Sequence, residues 1–361
     1  MIPTAVIAFA GTQHRMEWEA VPRAGYPIHP ISVVGLQRSI SWKNIKFPFV
    51  LLKGLWQSWQ LIDDFDADVA VGTGGFVSGP VLLAAHWRGR PILVQEQNAY
   101  AGLTNRLLGR WADRVHGAFE AAGKYFRTDD FLLTGNPTRG ELLGVDRAEG
   151  RKYFDIPEEA RVLFIFGGSG GSLALNRVVA RFAEDLLRDD RVYVLWQTGR
   201  KYFQTMEQEV SDHERLQLMA YVDQMGEAYA AADLVVCRAG AITCSELMVT
   251  GTPALLVPSP NVVADHQVIN ARAMTERGAA ELLEEVQLEE TFTTRVRELL
   301  DDSERRAGMA EAARAMGRPR AAEEIARDVL RLAGCSFDGV TPVERSARNS
   351  RSTATRTEEV L

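Results

Sequence analysis

Cys237-Arg238-Ala239-Gly240-Ala241-Ile242-Thr243-Cys244-Ser245-Glu246 decides how this chain is read. The apolar run Leu234-Val235-Val236 precedes it and Leu247-Met248 follows, so it reads as strand, tight turn and helix start. Such a turn aims backbone N–H groups and the positive end of a helix dipole into the crevice beyond the sheet edge, where an anion or a sugar can sit. Glu246 then falls near the first turn of the helix, where a carboxylate can accept two hydrogen bonds from a vicinal diol such as a ribose. Farther on, Asp265-His266-Gln267 follows a second apolar strand, Ala254-Leu255-Leu256-Val257-Pro258. Polar groups at the ends of two consecutive strands point to a nucleotide-sugar site. For the first motif alone, an ordinary strand-to-helix turn stays open as the alternative.

The chain has 361 residues, more than one typical core holds, and suits two domains. Its apolar content of 46% and charged content of 25% are those of a globular protein. A net charge of −7 argues against general nucleic-acid binding. Cys237, Cys244 and Cys335 have neither metal-ligand spacing nor an even count, so we expect small, half-buried thiols in a reducing compartment. No apolar run reaches the roughly 18 residues that a membrane span needs. Met1 leads straight into Ala5-Val6-Ile7-Ala8-Phe9-Ala10, which reads as a buried strand and not as a secretory leader.

Short apolar runs bounded by glycine alternate with helical patterns, as in a parallel sheet covered on both faces. Strands are expected near 5–10, 69–72, 91–95 and 115–118, and then near 161–166, 191–197, 234–237 and 254–258. Leu133-Thr134-Gly135-Asn136-Pro137-Thr138-Arg139 punctuates the middle and fits a crossing between domains. The fold class is therefore α/β, with one unit over residues 1–136 and a second over 137–335, and a cleft between them. Residues 336–361, rich in Ser, Thr and Arg, read as a disordered tail.

Two further glycine turns follow strands: Gly72-Thr73-Gly74-Gly75-Phe76-Val77-Ser78-Gly79-Pro80 and Gly167-Gly168-Ser169-Gly170-Gly171-Ser172. Glycine permits positive φ and close backbone approach, so both can wrap a phosphate or a sugar ring. A dinucleotide fingerprint starts at Gly168 and Gly170, but its sixth place is Leu173 and the next strand ends in Gln197-Thr198 without an acid. Gln95-Glu96-Gln97-Asn98 stands at a strand end, where four polar residues need a ligand or each other. Glu96 is the candidate general base there, with a hydrogen-bonded helix cap as the competing reading. Asp64, Asp66 and Asp68 precede a strand, away from the expected cleft, and read as a solvated acidic turn and not a metal site. Between Ser41 and Ile62, Trp42, Phe47, Phe49, Leu51, Leu52, Leu55, Trp56 and Trp59 mix with Lys43, Lys46 and Lys53. That mixture suits either a membrane interface or packing on the sheet with snorkelling lysines.

Taken together, these residues resemble the MurG family of peptidoglycan N-acetylglucosaminyltransferases. The matching pieces are Gly72 to Pro80, Glu96-Gln97-Asn98 with Gly102-Leu103-Thr104-Asn105, and Gly135-Asn136-Pro137 with Arg139. They continue with Gly167-Gly168-Ser169, Tyr221-Val222-Asp223-Gln224-Met225, Cys237 through Glu246, and Asp265-His266-Gln267 with Asn270-Ala271. The pieces run in family order over roughly residues 5 to 335. The resemblance implies GT-B architecture, two Rossmann-like domains facing across a cleft, with the first as acceptor and membrane-facing domain and the second as donor domain. It implies inverting transfer from UDP-N-acetylglucosamine to the muramyl 4-hydroxyl of lipid I, giving lipid II, at the cytoplasmic face of the plasma (inner) membrane. Glu246 would bind the ribose diol, Ala241, Ile242 and Thr243 the phosphates, the Val222 backbone the uracil, Arg139 and Ser169 the nucleotide, and Gln267 the sugar hydroxyls. Asn98 would approach the donor sugar, and Gly74 and Gly75 would lie on the acceptor side. Trp42, Lys43, Lys46, Phe49 and Trp56 would face the membrane. No cofactor or metal is called for, since helix dipoles and Arg139 would neutralise the donor charge. Beyond donor and lipid acceptor, partners among cell-wall or division proteins are expected, and no nucleic acid.

The family's opening strand, glycine-rich turn and histidine have no counterpart after Met1, and the expectation is a start placed too late. His14 does not replace that histidine, because its surroundings match the family's next turn. Gln95 stands where the family often has a histidine. Two other readings remain at this stage: a non-catalytic UDP-sugar-binding protein of the cell-wall machinery, or a related GT-B enzyme with another acceptor.

Overall fold

A computed structural model of the chain describes residues 5–13, 15–33, 47–127, 131–262 and 265–335; the expected tail lies outside them. The first half runs β1 (Phe9–Gly11), α1 (Met16–Arg23), β2 (Ile28–Pro30), α2 (Phe47–Phe65), β3 (Ala70–Gly72), α3 (Ser78–Trp87), β4 (Ile92–Glu96), α4 (Leu103–Leu108), β5 (Arg114–Gly117) and β6 (Phe131–Leu133). The second half opens with α5 (Arg147–Tyr153), β7 (Arg161–Phe166), α6 (Leu173–Leu186), β8 (Val192–Gln197), α7 (Phe203–Glu209), β9 (Leu216–Met219) and α8 (Met225–Ala231). It continues with β10 (Leu234–Cys237), α9 (Ala241–Thr250), β11 (Ala254–Leu256), α10 (His266–Thr275), β12 (Glu281–Leu282), α11 (Leu288–Asp301), α12 (Ser303–Met316) and α13 (Ala321–Leu332).

The strands pair in parallel, in the orders β1-β2, β3-β4-β5-β6 and β12-β11-β10-β7-β8-β9. Apolar residues on both faces of a strand demand cover on both faces. In β7 and β10, Val162, Phe164, Phe166, Val235 and Cys237 turn to one core with α8, α9 and α10. Leu163, Ile165, Leu234 and Val236 turn to the other, with α6 and α11. Every expected strand is found to within a few residues, except that the 5–10 strand is confined to Phe9–Gly11, where pairing with β2 starts. Val6 and Ile7, expected to be buried, are 77% and 48% exposed. Four short strands, β2, β6, β9 and β12, were not expected.

One helix packs across the expected boundary at residue 136. Helix α13 belongs to the second half by sequence, yet Ile325, Val329 and Leu332 pack on Leu93 of β4 and on Val69. Asp328 on the same helix meets His116 of β5, Oδ2 to Nε2 3.2 Å, and hydrogen bonding from His116 and Arg331 holds its carboxyl below the usual carboxylate range. An apolar stripe at helical spacing with one buried polar contact thus returns the chain's last helix to the first half.

Candidate active site

The β10–α9 turn is built to stay open. Gly240 stands at the N-cap of α9 with φ −64° and ψ 147° and offers no side chain, so no cap holds the first-turn N–H groups of Ala241, Ile242 and Thr243. Ile242 is 40% exposed. Below the turn Cys237 and Cys244 are fully buried, not half-buried as expected, and burial pushes the Cys244 thiol up to about 12. Glu246 lies in the second turn of α9, deeper than the sequence suggested, and its Oε2 accepts from Tyr229 Oη at 2.9 Å. Burial raises its carboxyl above the ordinary glutamate value, while the Tyr229 hydrogen bond and the charge of Arg139 pull it back.

Arg238 fixes this turn to its neighbours. Its guanidinium donates to Ser172 Oγ at the head of α6 (2.7 Å), to the Val257 and Pro258 carbonyls after β11 (3.1 and 3.2 Å), and to Glu285. Arg238, Ser172 and Glu285, with Arg177, Ser259 and Gln267, line a cavity of about 460 Å³. The Ser259 N–H donates to Gln267 Oε1 at 2.8 Å, so the Gln267 amide nitrogen is the donor end, with no hydrogen-bond partner among the described residues.

In the β7–α6 turn Gly171 has φ +73°, and a Cβ built on it would stand 2.0 Å from the Thr198 carbonyl oxygen. Only glycine lets the turns after β7 and β8 touch in this way. Ser169 is exposed at the crest of the loop. Gln197 at the end of β8 donates to Gly168 O (3.1 Å) and accepts the Val222 N–H (2.9 Å). The Val222 backbone was expected to read a base; with its N–H engaged by Gln197, its carbonyl is the group left for one.

On the facing half Gln95 and Glu96 are both buried. Glu96 Oε1 accepts the Asn98 N–H at 2.9 Å, and Oε2 accepts the Gly102 N–H at 2.9 Å and Asn105 Nδ2 at 2.8 Å. At 2% exposure, this carboxylate has both oxygens turned into its own loop. Two buried asparagines then join the halves. Asn136 donates to Gln97 O and to Ser245 Oγ, both at 3.0 Å, and Asn270 accepts the Ala99 N–H at 2.9 Å. The Asn98 loop and the α9 turn therefore meet across the cleft.

Residues 4–117 match the glycosyltransferase family 28 N-terminal domain and residues 162–325 its C-terminal domain. A curated protein of Salinibacter ruber is 54% identical over 92% of this chain and 90% of its own length. One of Flavobacterium psychrophilum is 38% identical over 91% and 90%. Both are named UDP-N-acetylglucosamine--N-acetylmuramyl-(pentapeptide) pyrophosphoryl-undecaprenol N-acetylglucosamine transferase. The chain belongs to the MurG family. A crystal structure of Acinetobacter baumannii MurG superimposes with TM-score 0.72 at 27% identity, covering 90% of this chain and 91% of that one. The architecture is accordingly GT-B.

Against MurG membership the expected residues fall into three groups. In the first, Glu246 bonds Tyr229 within reach of the Arg139 charge, Asn98 bonds Asn270, Gln267 takes the Ser259 N–H, Val222 bonds Gln197, Ser169 adjoins Gly168, and Ala241, Ile242 and Thr243 open α9. Gly74 and Gly75, with φ +94° and +75°, form the turn before α3, where Ser78 Oγ donates to Gly74 O. In the third group, Trp42, Lys43 and Lys46 lie outside the described residues, while Phe49 (73%) and Trp56 (60%) are exposed on α2. Beside them Trp59 lies 6.5 Å from Trp87 of α3, so the apolar band extends past the helix that the sequence singled out. Sequence reasoning named no role for Asn136, Arg238, Tyr229, Asn270 or His266, whose Nδ1 is buried without a partner among the described residues and whose ring lies edge-on to Tyr100. Among the described residues no group of His, Cys, Asp or Glu is placed to hold a metal ion and no helix is long and apolar enough to cross a membrane.

Proposed function

We propose that the chain transfers N-acetylglucosamine from UDP-N-acetylglucosamine to the muramyl 4-hydroxyl of lipid I, giving lipid II with inversion at the anomeric carbon. The observation that carries this reading is the uncapped start of α9 with a buried carboxylate one turn behind it, facing the Asn98 loop. The free N–H groups of Ala241, Ile242 and Thr243 suit the donor phosphates, and Glu246 suits the ribose diol. Arg139 and the helix dipole supply positive charge as the UDP leaving group forms. Ser169 and the Val222 carbonyl serve the nucleotide, and Gln267 and Asn98 the sugar. Gly74 and Gly75 line the acceptor side. Glu96 holds the Asn98 loop in shape, so the proton of the attacking hydroxyl goes to another group.

The acceptor of that reaction is lipid-bound, and the exposed Phe49, Leu52, Trp56 and Trp87 beside Lys53 and Arg88 make a surface suited to an anionic bilayer. We place the protein at the inner face of the plasma membrane as a peripheral enzyme. The decisive experiment incubates the purified chain with labelled UDP-N-acetylglucosamine and a lipid I analogue, and follows label into lipid II. Binding of the donor with no transfer to lipid I would sink the proposal. Co-sedimentation with anionic vesicles should fall severalfold for W56E, which leaves UDP binding unchanged.

A further inference from the structure

We propose that Asn270 is a positioning residue that decides which end of the Asn98 amide faces the donor sugar. The argument rests on groups whose polarity cannot be exchanged. A backbone N–H only donates and a backbone carbonyl only accepts. Asn270 is fully buried on α10, one turn beyond Gln267, and touches one of each. Its Oδ1 accepts the Ala99 N–H at 2.9 Å, and its Nδ2 donates to the Ala239 carbonyl at 3.2 Å. Turning that amide over would set two donors and two acceptors against each other without water, so its orientation is fixed.

The second hydrogen on Asn270 Nδ2 then has a set direction, and it meets Asn98 Oδ1 at 3.2 Å. Asn98 is thereby oriented too. Its oxygen is consumed inside the protein, while its NH₂ group makes one long contact, 3.5 Å to Glu96 Oε1, and keeps its other hydrogen for a ligand. A half-buried amide that could present either end is made into a hydrogen-bond donor. In the proposed reaction, on which this inference rests, that donor meets a hydroxyl oxygen of the transferred sugar. The Ala239 carbonyl serves to fix the polarity of the Asn270 amide, while the N–H groups proposed for the phosphates begin at Ala241.

The test compares affinities for UDP and UDP-N-acetylglucosamine by calorimetry, without any lipid acceptor. N270D removes both N–H groups and sets a carboxylate oxygen against Asn98 Oδ1. It should raise the ratio of the UDP-N-acetylglucosamine Kd to the UDP Kd about fivefold, with the UDP Kd within about twofold of wild type. N98D, which leaves Asn270 intact and swaps the presented donor for an acceptor, should move the ratio in the same direction. N98A/N270D should match N98A alone, since Asn270 acts through Asn98. An unchanged ratio in N98D would overturn the proposal, as would an equal loss of both nucleotides in N270D, the mark of a merely structural residue. A wild type that binds neither nucleotide sinks the donor reading and this inference with it. A wild type that binds both while the ratio stays put sinks the inference alone.

Discussion

Two strand-to-helix turns, β4–α4 and β10–α9, face each other across the cleft and solve the same problem in opposite ways. Each ends a buried parallel strand, and each carries a glutamate that sequence inspection marks as functional. In β4–α4 the carboxylate of Glu96 is spent on the N–H groups of Asn98 and Gly102 and on Asn105. In β10–α9 the helix N–H groups have no side-chain cap, and among the described residues the Glu246 carboxylate has a single hydrogen-bond partner, Tyr229. Buried polar groups must be satisfied by something. The first turn spends its carboxylate on its own N–H groups and acts as a support; the second keeps its N–H groups and most of its carboxylate for the proposed donor. A glutamate's place in a motif does not distinguish the two, and the count of its partners does.

The largest effect should follow from emptying the closed turn. E96A leaves several donors buried without an acceptor and should cost about 3 kcal/mol of stability, read from denaturant unfolding. E96Q keeps an acceptor oxygen and should cost about 1 kcal/mol, with transfer per folded molecule reduced less than about tenfold. A general base behaves otherwise: its amide variant would keep its stability while kcat fell about a hundredfold or more. That pattern in E96Q would return Glu96 to the chemistry.

Changing the open turn should leave the fold alone and act on the ligand. E246Q should weaken UDP binding about tenfold while changing the unfolding midpoint little, because burial already disfavours its charge. Removing the ribose 2′-hydroxyl should weaken binding to wild type and leave E246Q nearly unaffected. The pH dependence has a definite sign. Only the ionised carboxylate accepts from both diol hydroxyls, and burial holds the Glu246 carboxyl above its ordinary value of 4.5. UDP affinity should therefore fall as pH decreases, starting at a higher pH than a solvent-exposed glutamate would allow, and E246Q should flatten that profile. An unchanged profile in E246Q would assign the titration elsewhere.

The sequence carried the core strands because buried parallel strands are uninterrupted apolar runs, as in Val162-Leu163-Phe164-Ile165-Phe166. It did not carry β2, β6, β9 and β12, which are two to four residues long; Ile28-His29-Pro30 has no period to read. The three glycine turns were legible, since positive φ and backbone contact leave a mark in residue type. The bonds joining the halves were not. Ala99 and Asn270 are 171 positions apart, and a lone asparagine carries no sign of its partner. The closure of Glu96 was hidden for the same reason, as two of its donors are backbone N–H groups that every residue but proline has. Helix α13 hid by its place in the chain, its apolar stripe giving no hint of which half it would cover.

The smallest effect should come from Tyr229, whose hydroxyl donates to Glu246. Its ring is buried against Phe164 and Phe166, so Y229F keeps the packing and removes only the hydroxyl. The lost hydrogen bond should cost no more than about 1 kcal/mol of stability. At neutral pH the UDP Kd should change by less than about threefold. What should move is the pH profile. The Tyr229 hydroxyl is first among the groups that pull the Glu246 carboxyl down, ahead of Arg139. Without it burial acts with less opposition, the carboxyl rises further, and UDP affinity should begin to fall at a higher pH than in wild type. A profile that shifts the other way would mean that Tyr229 competes with the ribose for Glu246. The β10–α9 turn would then be partly closed by the protein itself, and the contrast with β4–α4 would be one of degree.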